Sequence, residues 1–303
     1  MWLNAECMFL YLETALHVGS GVPGEAIDLP IQREPLTGYP VVPSSSLKGC
    51  LRAYASLRRK SKEVVTAFGS SPEDPDKSEG LLVFSDACPL LYPVRSLKGL
   101  FAWITSPEVL ARWQREISRY GLDLELPAIP ELAADTAGVT ADSLLLTAQQ
   151  TVVLEELSFP VQVLEPVTNL GAWLAASAFP ADTAYDYWRQ RIRQAVVVLP
   201  EEVFRYFVEQ TTPVLPRIRI DDTTGTAAEG SLWNEEYLPP ETLLYALIGV
   251  QEPKAKQGRL KPTPPEALRW LKELGLERLQ LGGRRTLGRG LVQVQWSGGK
   301  EQS

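Results

Sequence analysis

The side chains best suited to chemistry lie in one stretch, residues 17–52. It holds the only histidine, His17, then a carboxylate, Asp28, in a loop broken by glycine and proline, then S-S-S-L-K-G-C-L-R with Lys48 and Arg52 four apart. Serines ahead of an apolar-periodic segment predict a helix start, with Ser44, Ser45 and Ser46 offering cap hydroxyls. Free N–H groups at such a start, with a lysine in the first turn, form an anion site. A capped helix with surface cations fits the same residues. Asp28 alone cannot hold Mg²⁺ tightly, because that ion takes further oxygens from water or substrate phosphate. It could recruit the ion together with an RNA phosphate, or position an attacking 2′-hydroxyl; an ordinary loop aspartate is the competing reading. His17, at a strand end, fits a hydrogen-bonded structural role as well as a base. Together these residues suggest a protein that grips a phosphate backbone and could cut it.

A second cluster lies near the C-terminus. The loop G-G-R-R-T-L-G-R-G, 282–290, packs four glycines, Gly282 and Gly283 among them, with Arg284, Arg285 and Arg289. Glycines let successive N–H groups cup a phosphate while arginines supply charge. A β-turn with solvent-facing arginines is the alternative. The loop lacks G-x-x-x-x-G-K-[ST] and is not a P-loop. Ser-His-Asp spacing, a zinc signature and a dinucleotide fingerprint are all missing, so other chemistries have no support.

The elements that must position these groups read as follows. A strand spans Glu6 to Leu16, and a Gly/Pro-rich loop covers about 18–43. A helix over about 47–62 carries an apolar stripe of Leu47, Leu51, Tyr54 and Ala55. Strands follow at 81–87 and 94–106, and Ser106-Pro107 opens a helix ending near Tyr120. Asp182 to Leu199 and Pro200 to Glu209 read as helices. R-I-R-I through L-W-N-E-E-Y-L reads as a protruding hairpin, about 217–240. T-L-L-Y-A-L-I-G-V is a strand, Pro264 to Leu274 a helix, and the 282–290 loop sits between two last strands. This order predicts an α+β, ferredoxin-like core with large insertions.

The 303 residues, 45% hydrophobic, suffice for a large globular core. The net charge of −7 argues at first against nucleic acid. Its distribution alters that reading, because Tyr120 to Trp188 contains ten acids and no lysine or arginine, leaving 30 basic against 27 acidic residues elsewhere. Any nucleic-acid site must therefore be local. The acidic stretch, about 120–180, has scattered prolines and poor periodicity. It reads as an insertion, either a solvated face or a surface for a basic partner. Cys7, Cys50 and Cys88 show no metal or disulfide spacing, which points to a reducing, cytoplasmic setting. No apolar run is long enough to cross a bilayer, so membrane insertion is not expected.

H-V-G-S-G, S-S-S-L-K-G-C-L-R, F-S-D-A followed by Y-P-V-R-S, L-W-N-E-E-Y-L-P, and L-G-G-x-x-x-x-G-R-G together resemble the RAMP superfamily. The specific resemblance is to the repeated backbone subunit of the type III-B (Cmr) CRISPR effector. It runs over about residues 9–296 and is weakest in the acidic stretch. It implies one domain over 1–303, shaped like a hand, with an RRM-like palm, helical fingers and a β-hairpin thumb. Copies would stack into a helical filament along a CRISPR guide RNA, beside the other Cmr subunits. Each thumb, with Leu232 and Trp233 as wedge or support, would displace one base pair of the guide–target duplex. Single-stranded target RNA would then be cut at regular intervals with a divalent cation, Mg²⁺ or Mn²⁺. The resemblance maps the key carboxylate, and the metal, to Asp28. His17, Glu235 and Tyr237 would contribute near the cut, and Ser46, Lys48, Arg52, Arg95 and Gly282, Gly283, Arg284, Arg285 and Arg289 would hold guide RNA. A non-catalytic RNA-binding scaffold and a nuclease that processes precursor guide RNA are the alternatives.

Overall fold

The elements follow in chain order as β1 (Asn4–Leu12), α1 (Ser44–Ser56), α2 (Ser61–Phe68), β2 (Leu82–Phe84), β3 (Cys88–Arg95), β4 (Phe101–Thr105), α3 (Pro107–Arg119), β5 (Ala137–Val139), β6 (Thr151–Leu154), β7 (Leu157–Val163), α4 (Glu165–Ser177), α5 (Asp186–Ala195), β8 (Val196–Val198), α6 (Glu201–Gln210), β9 (Val214–Ile220), β10 (Ala227–Glu236), β11 (Leu243–Val250), α7 (Ala267–Lys272), β12 (Arg278–Gln280) and β13 (Leu291–Trp296). The computed structural model describes residues 2–24, 26–71, 73, 78–252 and 262–297. Among them no helix is long and apolar enough to cross a membrane.

The fold is mixed α+β around one large sheet in the order β12-β13-β1-β11-β3-β4-β8-β5-β7-β6, with β2 also paired to β11. Pairing is antiparallel except for β4–β8 and β5–β7. Every residue of β11 is buried, as is β1 from Cys7 to Leu12. A strand enclosed on both faces reads as a continuous apolar run rather than an alternating one. Phe9 of β1 meets Trp113 of α3 and Trp173 of α4, edge to face. In α3, Leu110, Trp113 and Ile117 share the buried stripe, Pro107 sits at the first position, and the Ser106 hydroxyl accepts the Val109 N–H at 3.3 Å.

Several sequence expectations are corrected. The single strand over 94–106 is two strands, β3 and β4, joined by a tight turn in which Leu100 takes φ 69°. The helix over 47–62 is two helices, α1 and α2, broken at residues 57–60. The helix over 182–199 ends at Ala195. Val196, Val197 and Val198 form β8, where three β-branched side chains fill a fully buried strand. The acidic stretch contributes β5, β6, β7 and α4, and its strands extend the main sheet. Its periodicity is hidden because short strands alternate with loops in which Leu122, Leu124 and Leu126 touch the core only partly. All its acids except Glu155 are exposed.

β9 and β10 form a separate two-stranded sheet with a bulge between Ala227 and Leu232. Its root enters the core where Glu235, Glu236, Tyr237 and Leu238 are all buried.

Candidate active site at the hairpin root

Period-two alternation along β10 puts Trp233, Glu235 and Tyr237 on one face and Glu236 on the other. Arg217 of β9 is the cross-strand partner of Trp233, so it joins the first face. There the Glu235 carboxylate, only 1% exposed, accepts from Trp233 Nε1 at 2.7 Å, Arg217 Nε at 3.3 Å, the Tyr237 hydroxyl and Arg284 Nη2. Burial alone pushes this acid up. Donation from Tyr237, Trp233 and Arg284 outweighs it and holds the carboxyl at about 2. Glu235 is thus a fixed anion whose oxygens are occupied, which suits it to aligning cations rather than to taking a proton. Tyr237 is buried, accepts from Arg217 Nη2 at 3.0 Å, and lies under the Arg289 guanidinium at 5.2 Å.

His17 is buried against the same root, its ring 5.6 Å from that of Tyr237. Its Nδ1 lies 2.8 Å from the Glu236 carbonyl, which can only accept. Nδ1 therefore carries the proton, and in the neutral ring Nε2 keeps its lone pair. The Gly283 N–H donates to the His17 carbonyl at 2.8 Å. Gly282 has φ 70°, and a Cβ there would lie 2.3 Å from the His17 oxygen. That close approach is why the loop begins with glycine.

Asp28 stands exposed beside this root. Its Oδ2 accepts the Asn234 N–H at 2.8 Å, and Oδ1 has no partner among the described residues. The loop is zipped to β10 by Leu29 N–H to the Asn234 carbonyl and Glu236 N–H to the Leu29 carbonyl, both 3.0 Å. Among the described residues no group of three or more His, Cys, Asp or Glu could hold a metal. Asp28 therefore offers a divalent cation one protein carboxylate, an arrangement that fits Mg²⁺ only when phosphate oxygens and water complete the shell. His17, Asp28, Glu235 and Tyr237 come together here, although they come from well-separated parts of the chain.

The other candidates are dispersed around this centre. The cap expected from the serines is not formed. Pro43 precedes α1 without a side-chain cap, Ser44 is already helical, and its N–H is taken by Asp86 Oδ1 at 2.7 Å. Ser46 lies within the first turn of α1. Lys48 is half-buried, and burial together with neighbouring Arg52 lowers its affinity for the proton. Arg52 donates to the Ser70 carbonyl at 3.2 Å. α1 meets the glycine loop through Cys50, whose thiol is pushed up by burial and pulled back by Arg285 and a Gly282 backbone contact. In that loop Arg284, at φ 59°, and Arg289 turn inward to Glu235 and Tyr237, while Arg285 is exposed. Arg95 stands apart at the end of β3, its exposed side chain 3.8 Å from Glu155. Leu232 is 68% exposed and pairs across the hairpin with exposed Ile218. Trp233 is partly buried at the root.

Sequence reasoning missed Arg217, Asn234, Arg33 and Glu236. Arg217 was legible only as one of two arginines in R-I-R-I, and Asn234 contributes through its backbone, which no side-chain pattern reports.

A β-rich core with its acidic and basic groups gathered at a hairpin root defines a class seen elsewhere. The RAMP superfamily model matches residues 9–293, and the chain belongs to that superfamily. Within it, the chain is 38% identical over 96% of its length, and 95% of the relative's, to the CRISPR system Cmr endoribonuclease Cmr4 of Pyrococcus furiosus. It is 25% identical, over 95% of both chains, to the CRISPR system CMR subunit Cmr4 of Saccharolobus solfataricus. The crystal structure of oligomeric Cmr4 from Pyrococcus furiosus superposes with a TM-score of 0.72 at 30% identity, covering 97% of this chain and 98% of that one. A type III-B Cmr-beta complex bound to cognate target RNA contains a chain of the same fold, with a TM-score of 0.72 at 23% identity, covering 97% of this chain and 98% of that one.

Proposed function

We propose that this chain is the guide-RNA-binding backbone subunit of a type III-B CRISPR effector and that it cleaves complementary target RNA. The observation that carries the reading is an exposed carboxylate, Asp28, pinned by the Asn234 N–H at the root of a protruding hairpin. The order β13-β1-β11-β3, antiparallel throughout, supports a ferredoxin-like palm, with β9–β10 as its thumb. The exposed Ile218–Leu232 pair is suited to pushing between bases and splaying the target strand. Copies stacked along a guide RNA would repeat that event at even intervals. Base pairing then specifies sequence while protein contacts position the backbone.

The splayed target nucleotide presents its 2′-hydroxyl in line with the adjacent phosphate. Attack forms the O2′–P bond and breaks P–O5′, leaving a 2′,3′-cyclic phosphate and a 5′-hydroxyl. The 2′-hydroxyl proton leaves to a base and the 5′-oxygen gains one. A divalent cation, when bound, supplies charge stabilisation at the phosphate and lowers the pKa of a bound water. Asp28 would hold that ion through Oδ1. Arg217 and Arg284, aligned by Glu235, offer cations to the developing charge. His17 Nε2 offers a lone pair that a proton could use. Lys48, Arg52 and Arg285 serve guide RNA on the α1 side.

The test is cleavage of labelled complementary RNA by the complex assembled with guide RNA and Mg²⁺, comparing wild type with Asp28→Ala. Evenly spaced products that vanish in the variant support the reading. A well-assembled wild-type complex that leaves target intact makes the chain a scaffold.

A further inference from the structure

The Asp28 loop is fixed by an ion pair on the opposite face of β10 from Glu235. Arg33 Nη2 contacts Glu236 Oε1 at 2.5 Å and Thr212 Oγ1 at 3.0 Å, while Nη1 donates to the carbonyls of Gly38 at 2.8 Å and Val208 at 3.0 Å. The Thr212 hydroxyl donates to Glu236 Oε1 at 2.8 Å, and Glu236 Oε2 accepts the Ile31 N–H at 2.9 Å. The Glu236 main chain holds His17 through its carbonyl and Leu29 through its N–H. One residue thus ties together the His17 segment, the loop that bears Asp28, the entry to β9 and the hairpin itself. The adjacent Glu34 points elsewhere, to Arg112 at 2.8 Å, and anchors the same loop to α3.

We infer that Arg33 and Glu236 are positioning residues for RNA cutting, setting where Asp28 stands relative to the hairpin root. This rests on the cutting role proposed above. Asp28 itself makes one hydrogen bond among the described residues, accepting a backbone N–H, and its loop is held to β10 by a bridge at the single residue Leu29. Its register against β10 is held by the Leu29 backbone bonds to Asn234 and Glu236 and, three residues on from Asp28, by the Ile31 N–H donating to the Glu236 carboxylate. Arg33 holds that carboxylate in place with a planar fork whose four acceptors lie on three different segments, a geometry that lysine cannot reproduce. Removing either partner leaves the other charge partly buried and unpaired, and the loop gains freedom to slide. In-line displacement tolerates little of this, since misplacement by about 1 Å can cost on the order of 100-fold in rate.

The experiment uses the full complex assembled with guide RNA, carrying Arg33→Met, Arg33→Lys, Glu236→Gln or the milder Thr212→Val. Lys272→Met removes a remote pair with Glu6 and serves as the stability control. Two quantities are read per assembled complex: the single-turnover cutting rate at saturating target, and hydrogen exchange of the Leu29 and Ile31 amides. We expect cutting to slow by about 10- to 100-fold in Arg33→Met. Arg33→Lys should fail to rescue it. Cut spacing and guide affinity should be unchanged, and exchange at Leu29 and Ile31 should speed up. A merely structural pair would lower the yield of complex while each assembled complex cut at the wild-type rate, which would overturn the inference. So would unchanged exchange at Leu29 and Ile31. Where Arg33→Met does not assemble, Thr212→Val supplies both readouts. Loss of cutting in Asp28→Ala with wild-type rates in the Arg33 variants sinks this inference alone. A wild-type complex that does not cut sinks the proposed function, and the exchange measurement still reads the clamp.

Discussion

Glu235 links the stability of the hairpin root to pH, and Glu235→Gln isolates that linkage. The folded carboxyl sits at about 2, against an ordinary value of 4.5. A depressed acid stabilises the fold above its unfolded value and loses that contribution as pH falls toward its folded value. The contribution is about 3 kcal/mol at neutral pH, and less than half of it remains at pH 3. Glutamine keeps the shape and one acceptor but cannot titrate, and it leaves Arg284 and Arg217 without their shared anion. The assay is urea unfolding of wild type and Glu235→Gln at intervals from pH 7 to pH 3. The stability gap should be about 3 kcal/mol at pH 7, hold to about pH 5, then narrow steadily. Other carboxylates titrate in both proteins and cancel in the difference. A gap of the same size at pH 7 and pH 3 would refute the reasoning, because the lost interaction would then not be ionic.

Lys48→Ala should weaken guide RNA binding similarly for all sequences and reduce the salt slope by about one; equilibrium binding across a salt series checks this. Leu232→Asp should slow target cutting while thermal stability stays within about 0.5 kcal/mol, because the side chain is mostly solvent-exposed. Gly282→Ala should cost about 2 kcal/mol or more, since it combines φ 70° with a Cβ 2.3 Å from the His17 carbonyl. Thermal melting of the free chain measures that loss.

Local signals carried much of this protein. The apolar run 242–250, the Ser-Pro start of α3, the hairpin from R-I-R-I to L-W-N-E-E-Y and the glycine-arginine loop between the last strands are each written in adjacent residues, and each forms where the local pattern places it. His17 and Asp28 were legible as candidates because a lone histidine and a loop carboxylate stand out by type. What the chain alone does not display is pairing across long separations. β8 reads as the tail of a helix because its three valines become a strand only when β4 and β5 offer edges to them. The serines read as caps, yet Asp86, distant in sequence, takes the N–H. Arg284 and Arg289 read as cations for a phosphate or for solvent, and the fold turns both inward onto Glu235 and Tyr237. The sequence by itself determined which residue types were available and where the chain could turn. Only the tertiary structure decided that the glycine loop, the hairpin root and the Asp28 loop converge, because buried charges must find partners wherever the fold brings them within reach.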